Sequence, residues 1–320
     1  MDQLSITKEK LDSFVSTPKT SLAEFYELPE DLNDAIEIAM ALNQPLLITG
    51  EPGTGKTLLA DKIAVDLNMI TNGTYNKEPY LFSTKSTSVF SDLFYTYDAI
   101  SHFYDANIKN EAKPALKKHI ELNALGMAIV ASMESEDKLS VPCNNTPDDN
   151  VPRNSVVLID EIDKAPNDFP NDLLHELEKY KFRIKEAGMR EFSKGTNSTI
   201  LIIITSNGEK NLPEAFLRRC VFFNIKFPET EFLLKILKKH ELIEKLKGNQ
   251  LAVLKTFHEI RKLCTYKKPS TAELIAWVKI IIQKDILVSD LSELAKTLPV
   301  IVKDNNDLAT VLKQWNSHVS

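Results

Sequence analysis

Several features that would steer a reading are missing from this 320-residue chain. It has only three cysteines, Cys143, Cys220 and Cys264. They lie far apart with no Cys-x-x-Cys or Cys/His pairing, which argues against a disulfide framework or a zinc site and fits a reducing compartment. No apolar run approaches the roughly 18 residues that span a bilayer, and the N-terminus, MDQLSITKEKLDSF, lacks the apolar segment of a secretory leader. Internal repeats and low-complexity tracts are absent. A basic excess is missing too: the formal net charge is -6. That excludes a surface built wholly to grip nucleic acid, although a local basic channel would be hidden in the sum. These absences predict a soluble cytoplasmic protein with no membrane segment.

What is present suffices for a core, since 43% of residues are hydrophobic, and the length allows two modest domains or one with a satellite. Residues 29–44, PEDLNDAIEIAMALNQ, space Leu32, Ile36, Ala39, Met40 and Leu42 as one face of a helix that Pro45 ends. PLLITG (45–50) then reads as a buried strand, and TLLADKIAVDLN (57–68) returns to helical spacing. SVVLIDEID (155–163) and TILIIITSN (199–207) are unbroken apolar runs, as suits strands covered on both faces of a parallel sheet. Between them NDFPNDLLHELEKY predicts a helix, and KFRIKEAGMREFS a hairpin or irregular excursion. VFFNIKF (221–227) is a further candidate strand, closed by Pro228. The segment 139–154, LSVPCNNTPDDNVPRN, predicts an exposed loop. From Glu229 onward the spacing is helical throughout. That change divides the chain into an N-terminal extension (1–28), an α/β unit (29–228) and a smaller helical unit (229–320).

GEPGTGKT, Gly50 to Thr57, fits G-x-x-x-x-G-K-[ST] at every fixed position and lies between a predicted strand and a predicted helix, as that motif requires. Gly50, Gly53 and Gly55 let the backbone curl so that successive N–H groups converge on phosphate oxygens at a helix N-terminus. Glu51, Pro52 and Thr54 complete the loop, and Leu58 follows it in the helix. Lys56 is placed to reach the β- and γ-phosphates and the Thr57 hydroxyl to bind Mg²⁺. Asp160 ends a predicted buried strand, where its carboxylate can hold the same ion from the side opposite Thr57. Its neighbour Glu161 is placed to orient and deprotonate an attacking water. Asn207, at the end of the next apolar run, would lie beside Asp160 if the two strands are neighbours and could position that water. The loop does not reveal the base, so ATP and GTP both remain open.

LPEAFLRRC (212–220) sets Arg218 beside Arg219 at a helix-like end. Taken alone, such a pair faces solvent or a surface carboxylate, where cations suit the helix dipole. In this order, however, GEPGTGKT, VVLIDEIDKAPNDFPNDLLHELE, IIITSN and LPEAFLRRC resemble the AAA+ ATPases, and among them the MoxR-type branch, over roughly residues 25–285. The resemblance implies a phosphate-loop NTPase fold: a parallel sheet flanked by helices, followed by a smaller all-α lid. It makes Gly50 to Thr57 the Walker A segment, Asp160 and Glu161 Walker B, and Asn207 sensor 1. Arg219 aligns best with the arginine finger, with Arg218 as a possible second. Such a finger reaches nucleotide bound by a neighbouring subunit, so the resemblance also implies a ring, usually a hexamer, working with ATP and Mg²⁺. It places an insert near 84–120 and a hairpin near 182–198, both lining the pore or upper face. The aromatic-rich STSVFSDLFYTYDAISHFYDA within the first insert is equally readable as the core of its own helix. One departure stands out. Where the branch carries a sensor 2 arginine, this chain has YKKPSTAELIAW with Ala272, leaving Lys267 or Lys268 as substitutes with a point charge instead of a fork.

The leading expectation is therefore an ATP-hydrolysing, chaperone-like ring that remodels a protein client, by resemblance often one with a von Willebrand factor A domain. A GTP- or ATP-driven nucleic-acid motor of the related McrB-like kind, as in defence systems, is a second reading. A slow nucleotide-operated signalling switch is a third, against which Glu161 argues. A nucleotide kinase would need neither the arginine pair nor the helical C-terminal unit.

Overall fold

The computed structural model describes residues 23–107, 116–147, 151–177, 179–287 and 290–317. Most of the expected N-terminal extension and part of the first expected insert lie outside these residues. Helix α1 (Glu30–Leu42) leads into strand β1 (Leu46–Gly50), and helix α2 (Lys56–Ile70) follows the glycine-rich loop. Next come strand β2 (Tyr80–Ser83), a short antiparallel pair β3 (Tyr95–Tyr97) and β4 (Ile120–Leu122) bracketing helix α3 (Ala99–Asn107), and helices α4 (Ala124–Ala131) and α5 (Ser135–Leu139). Strand β5 (Ser155–Asp160), helix α6 (Phe169–Leu177), the hairpin β6 (Lys181–Ile184) and β7 (Arg190–Ser193), strand β8 (Ile200–Ser206), helix α7 (Glu214–Leu217) and strand β9 (Val221–Ile225) complete the α/β part.

The central sheet is five-stranded and parallel, in the order β2-β5-β8-β1-β9. Its inner strands are apolar without alternation because both faces are covered. Leu47, Val157, Ile159, Ile202 and Ile204 point to one side, into a core shared with α4, α6 and the β6/β7 hairpin. Leu46, Ile48, Val156, Leu158, Leu201 and Ile203 point to the other, against α1 and α2. A strand reverses its side chain at each residue, so this parity fixes the direction of every residue at the strand ends. Each fully buried Leu or Ile contributes about 1.5–3 kcal/mol relative to exposure, so register and sidedness are strongly specified.

The remaining chain is helical: α8 (Thr230–Lys239), α9 (Gln250–Leu263), α10 (Thr271–Gln283), two short helices α11 (Leu291–Ala295) and α12 (Leu298–Ile301), and α13 (Asn305–Ser317). They surround a separate core centred on Leu233, Leu254, Phe257 and Trp277. The Trp277 indole is fully buried and its Nε1 donates to Thr297 Oγ1 at 2.7 Å. Among the described residues no helix is long and apolar enough to cross a membrane.

Three local expectations need correction. The 139–154 segment is not simply exposed: Val141 and Cys143 are buried, and Asn145 caps both backbone groups of Leu122, with Leu122 N donating to Asn145 Oδ1 and Asn145 Nδ2 to Leu122 O. An amide side chain that can donate and accept holds the loop onto the β4 edge. Residues 148–150 lie outside the described set. The aromatic stretch after Ser86 is not one helix. It forms a 3₁₀ turn (Phe90–Leu93), β3 and α3; Leu93 and Phe94 are buried in the core and Tyr95 and Tyr97 pack against it half-buried, whereas Ile100 and Phe103 are exposed. Leu42, in the apolar set of the first helix, is also exposed, at the last residue of α1 before a left-handed Asn43.

Candidate functional site

The sheet gathers the candidate residues at the C-terminal ends of β1, β5 and β8, where ligands bind in open parallel α/β sheets. The glycine-rich loop turns from β1 into α2 through left-handed backbone at Gly53 (φ +76°) and Gly55 (φ +89°). At both positions a Cβ would also collide: with Ser270 Oγ at 2.4 Å for Gly53 and with Tyr26 Cε2 at 2.9 Å for Gly55. Glycine is required there by conformation and by space.

Lys56 opens α2 and is buried; its ammonium donates to the carbonyls of Gly50 at 2.8 Å and Glu51 at 3.0 Å. Burial pulls its pKa below the usual lysine value, opposed by the carboxylates of Asp160, Asp163, Glu161 and Glu51. Thr57 Oγ1 donates to Asp160 at 3.0 Å and 3.3 Å for the two carboxylate oxygens. The contact follows from parity. Asp160 has the sidedness of Val156 and Leu158, which face α2, so its carboxylate emerges beside the start of that helix.

Thr205 joins the two acidic residues. The register Ile159↔Ile204, continued by one residue, sets Thr205 opposite Asp160. Its Oγ1 donates to Asp160 Oδ1 at 2.5 Å and accepts from Glu161 N at 2.9 Å. Glu161 takes a left-handed conformation (φ 57°, ψ 52°), which turns the chain out of the strand. Its carboxylate accepts from Asn207 Nδ2 at 3.2 Å and from Lys164 Nζ at 2.5 Å. The Asn207 loop is itself fixed: the buried Asp163 accepts from Asn207 N at 3.1 Å and Glu209 N at 2.9 Å. The hydrogen bond to Glu161 raises the exposed Lys164 ammonium above its ordinary value.

Around the glycine-rich loop Pro52 is exposed and Thr54 and Leu58 are half-buried, with Thr54 Oγ1 donating to Glu51 O at 2.8 Å. Beside it opens a cavity of about 740 Å³ between the α/β and helical units, lined by Tyr26, Gly53, Thr54, Leu58, Thr271 and Ile275 among others. Its size and mixed lining suit a nucleoside-sized group. Burial pushes the Tyr26 phenol above its usual range. Ala272 also lines the cavity, whereas Lys267 and Lys268 are exposed and lie outside its wall.

The arginine pair stands elsewhere. Arg218 and Arg219 precede β9, whose first residue Val221 pairs with Leu46 at the start of β1. The phosphate loop leaves the other end of that strand, four residues or about 13 Å further on. Both arginines are exposed, and Arg218 forms an ion pair with Glu214 one turn back.

The spacing of apolar runs did not point to Thr205, Asp163, Lys164 or Arg261 as part of the site. Thr205 had a readable signal, being a polar residue inside an otherwise apolar strand two positions before Asn207. Arg261 had none, because its contact with Glu51 joins residues 210 apart.

A converging glycine loop with its buried lysine, a threonine on a strand-end aspartate and a glutamate held by an asparagine define a phosphate-loop, nucleotide-binding α/β protein. Residues 46–229, more than half of the chain, match the family model described as ATPase family associated with various cellular activities (AAA). The chain belongs to that family: its α/β unit is the AAA+ phosphate-loop core and its C-terminal helices form the lid. A search among curated proteins found no match.

Proposed function

We propose that this protein is a MoxR-type AAA+ ATPase that binds and hydrolyses ATP in a ring, remodelling or activating a protein client. The observation that carries the reading is the single hydrogen-bonded array from Thr57 through Asp160 and Thr205 to Glu161 and Asn207. It gathers the groups that would hold the metal ion and activate and position the water for phosphoryl transfer, with Lys56 beside it for the phosphates.

Lys56, already desolvated, exchanges its loop carbonyls for the β- and γ-phosphates of the nucleotide. Thr57 and Asp160 are the residues that would hold Mg²⁺, which neutralises phosphate charge when bound; a hydroxyl and a carboxylate in contact are hard oxygen donors of the kind that ion selects. Glu161 accepts the proton of the attacking water. Asn207 fixes one carboxylate oxygen, leaving the other to be released from the Lys164 ion pair at the surface. The nucleoside lies in the cavity under α10.

Arg219, with Arg218 beside it, acts on the nucleotide of the next subunit. Supporting this are their exposure and their position at the far end of β1 from the loop of their own chain. The β6/β7 hairpin and the described part of the excursion from β3 to β4 would offer surfaces to a client, for which the resemblance implies a von Willebrand factor A domain. Light scattering tests the assembly. With a non-hydrolysable ATP analogue the mass should rise to a closed ring, hexameric by resemblance. An equimolar mixture of Arg219→Ala and Lys56→Ala chains should recover part of the turnover that each lacks alone. A strict monomer under all conditions, with full turnover by Arg219→Ala, would sink the trans-acting arginine. ATP against GTP turnover in the same preparation fixes the base.

A further inference from the structure

Arg261 lies in α9, far in sequence from every nucleotide motif, and is 9% exposed. A guanidinium removed from water to that degree must have its charge and donors met. Three different segments meet them. One is the phosphate loop, where Glu51 Oε2 accepts from Nη2 at 2.5 Å. The second is the turn before α10, where the Pro269 carbonyl accepts from Nη1. The third is the junction between β9 and α8, where the guanidinium stacks over Phe227 at 3.6 Å from the ring centroid. Planar, five-donor geometry allows one residue to serve all three at once.

Glu51 matters for a second reason. While its carboxylate is held by the helical unit, its backbone carbonyl accepts from the Lys56 ammonium. A short chain of contacts therefore runs from α9 through Glu51 to the lysine that binds phosphate. Two residues along, the close approach of Gly53 to Ser270 sets the loop against the N-cap of α10, a cap closed by the Ser270/Glu273 box. Thr271, which follows, is buried, lines the cavity and has a hydroxyl with no hydrogen-bond partner. Helical unit and phosphate loop thus meet, among the described residues, at the Arg261–Glu51 ion pair and the close packing of Gly53 on Ser270.

We propose that Arg261 is a positioning residue that couples the helical unit to the phosphate loop through Glu51, a task for which the start of α10 offers Ala272 and no cation. The proposal rests on the nucleotide-site reading above. Movement of the helical unit shifts Glu51, and with it the carbonyl that competes with phosphate for Lys56. The pair holds the loop in the curled form that receives phosphate, so nucleotide binding acts in the reverse direction and tightens the grip of α9 on the loop.

The test uses full-length protein carrying Arg261→Gln, Glu51→Gln or both, followed by fluorescent ATP-analogue binding and by hydrogen exchange of residues 51–57 without nucleotide. Each single change should weaken binding by about tenfold, as expected for a lost charged hydrogen bond, and should speed exchange in the loop. The double variant should be no worse than either single one. Arg261→Lys should fall between, since an ammonium cannot span a carboxylate and a carbonyl while stacking on a ring. Glu51→Gln removes nothing from the helical core, so it decides the matter even if Arg261→Gln fails to fold. Wild-type binding and exchange in Glu51→Gln, or multiplicative effects in the double variant, would overturn the coupling. A wild-type chain that binds no nucleotide would overturn the site reading instead. Exchange of residues 51–57 would still report on the Arg261–Glu51 pair in that case.

Discussion

Thr205 shows how one side chain can fix two others. Its hydroxyl hydrogen is committed to Asp160 and its lone pair to the Glu161 amide, so it sets the Asp160 carboxylate and the Glu161 backbone together. Valine preserves the shape but offers neither bond. Thr205→Val should therefore retain ATP binding while lowering turnover about a hundredfold, the scale of an ångström-sized misplacement of a catalytic group. Thr205→Ser should keep most of the rate, and steady-state phosphate release distinguishes the two. Equal loss of binding and turnover would assign Thr205 to the fold alone. The motif residues were legible in the sequence because the chemistry demands particular types at fixed spacing, as in Gly50 to Thr57 or the Asp160–Glu161 pair. Asp163 and Arg261 were not, and Thr205 showed only as a polar residue near the end of an apolar run, since their partners are set by strand register and by packing between units, neither of which local spacing encodes.

At the scale of elements, unbroken apolar runs correctly announced β1, β5 and β8, whose two faces are both covered. Strand β2 went unread. Its four residues, Tyr80 to Ser83, alternate between half-buried and exposed at the sheet edge and are too few to show a period. Helix α4 also escaped, because an apolar surface all round gives no helical stripe. The helical unit depends on a polar contact of the same hidden kind. The carboxylate of Asp307, buried at the start of α13, accepts from the backbone N–H groups of Thr265, Tyr266 and Lys267 and so fixes the turn leading into α10. Desolvation would raise its pKa, but those backbone hydrogen bonds outweigh it and the net shift is downward. The native form thus binds its proton less readily than an unfolded aspartate, whose pKa is about 3.9. Its stabilising effect is full above that value and is lost as pH falls through the lower native one. Asp307→Asn should accordingly lower the thermal midpoint of the helical unit at pH 7, with the difference from wild type shrinking below about pH 4. A difference that stays constant with pH would show that the charge is irrelevant.

Across the whole molecule the candidate site residues stand at two separate places. Phosphate loop, acidic pair and Asn207 converge at one end of the sheet, whereas Arg218 and Arg219 stand at the start of β9, beyond the opposite end of β1. The helical unit closes over the first place and contacts it through Arg261 and Ser270. On the proposed reading such a layout would make turnover depend on assembly, with the chemistry itself carried by Glu161. The most direct measurement compares phosphate release and bound nucleotide in wild-type and Glu161→Gln protein. Glutamine keeps the Asn207 contact but cannot take a proton, so the variant should bind ATP, retain it unhydrolysed and lower turnover by at least about a hundredfold. Wild-type rates from Glu161→Gln, or a wild-type chain that binds ATP in its assembled form without ever releasing phosphate, would contradict the account.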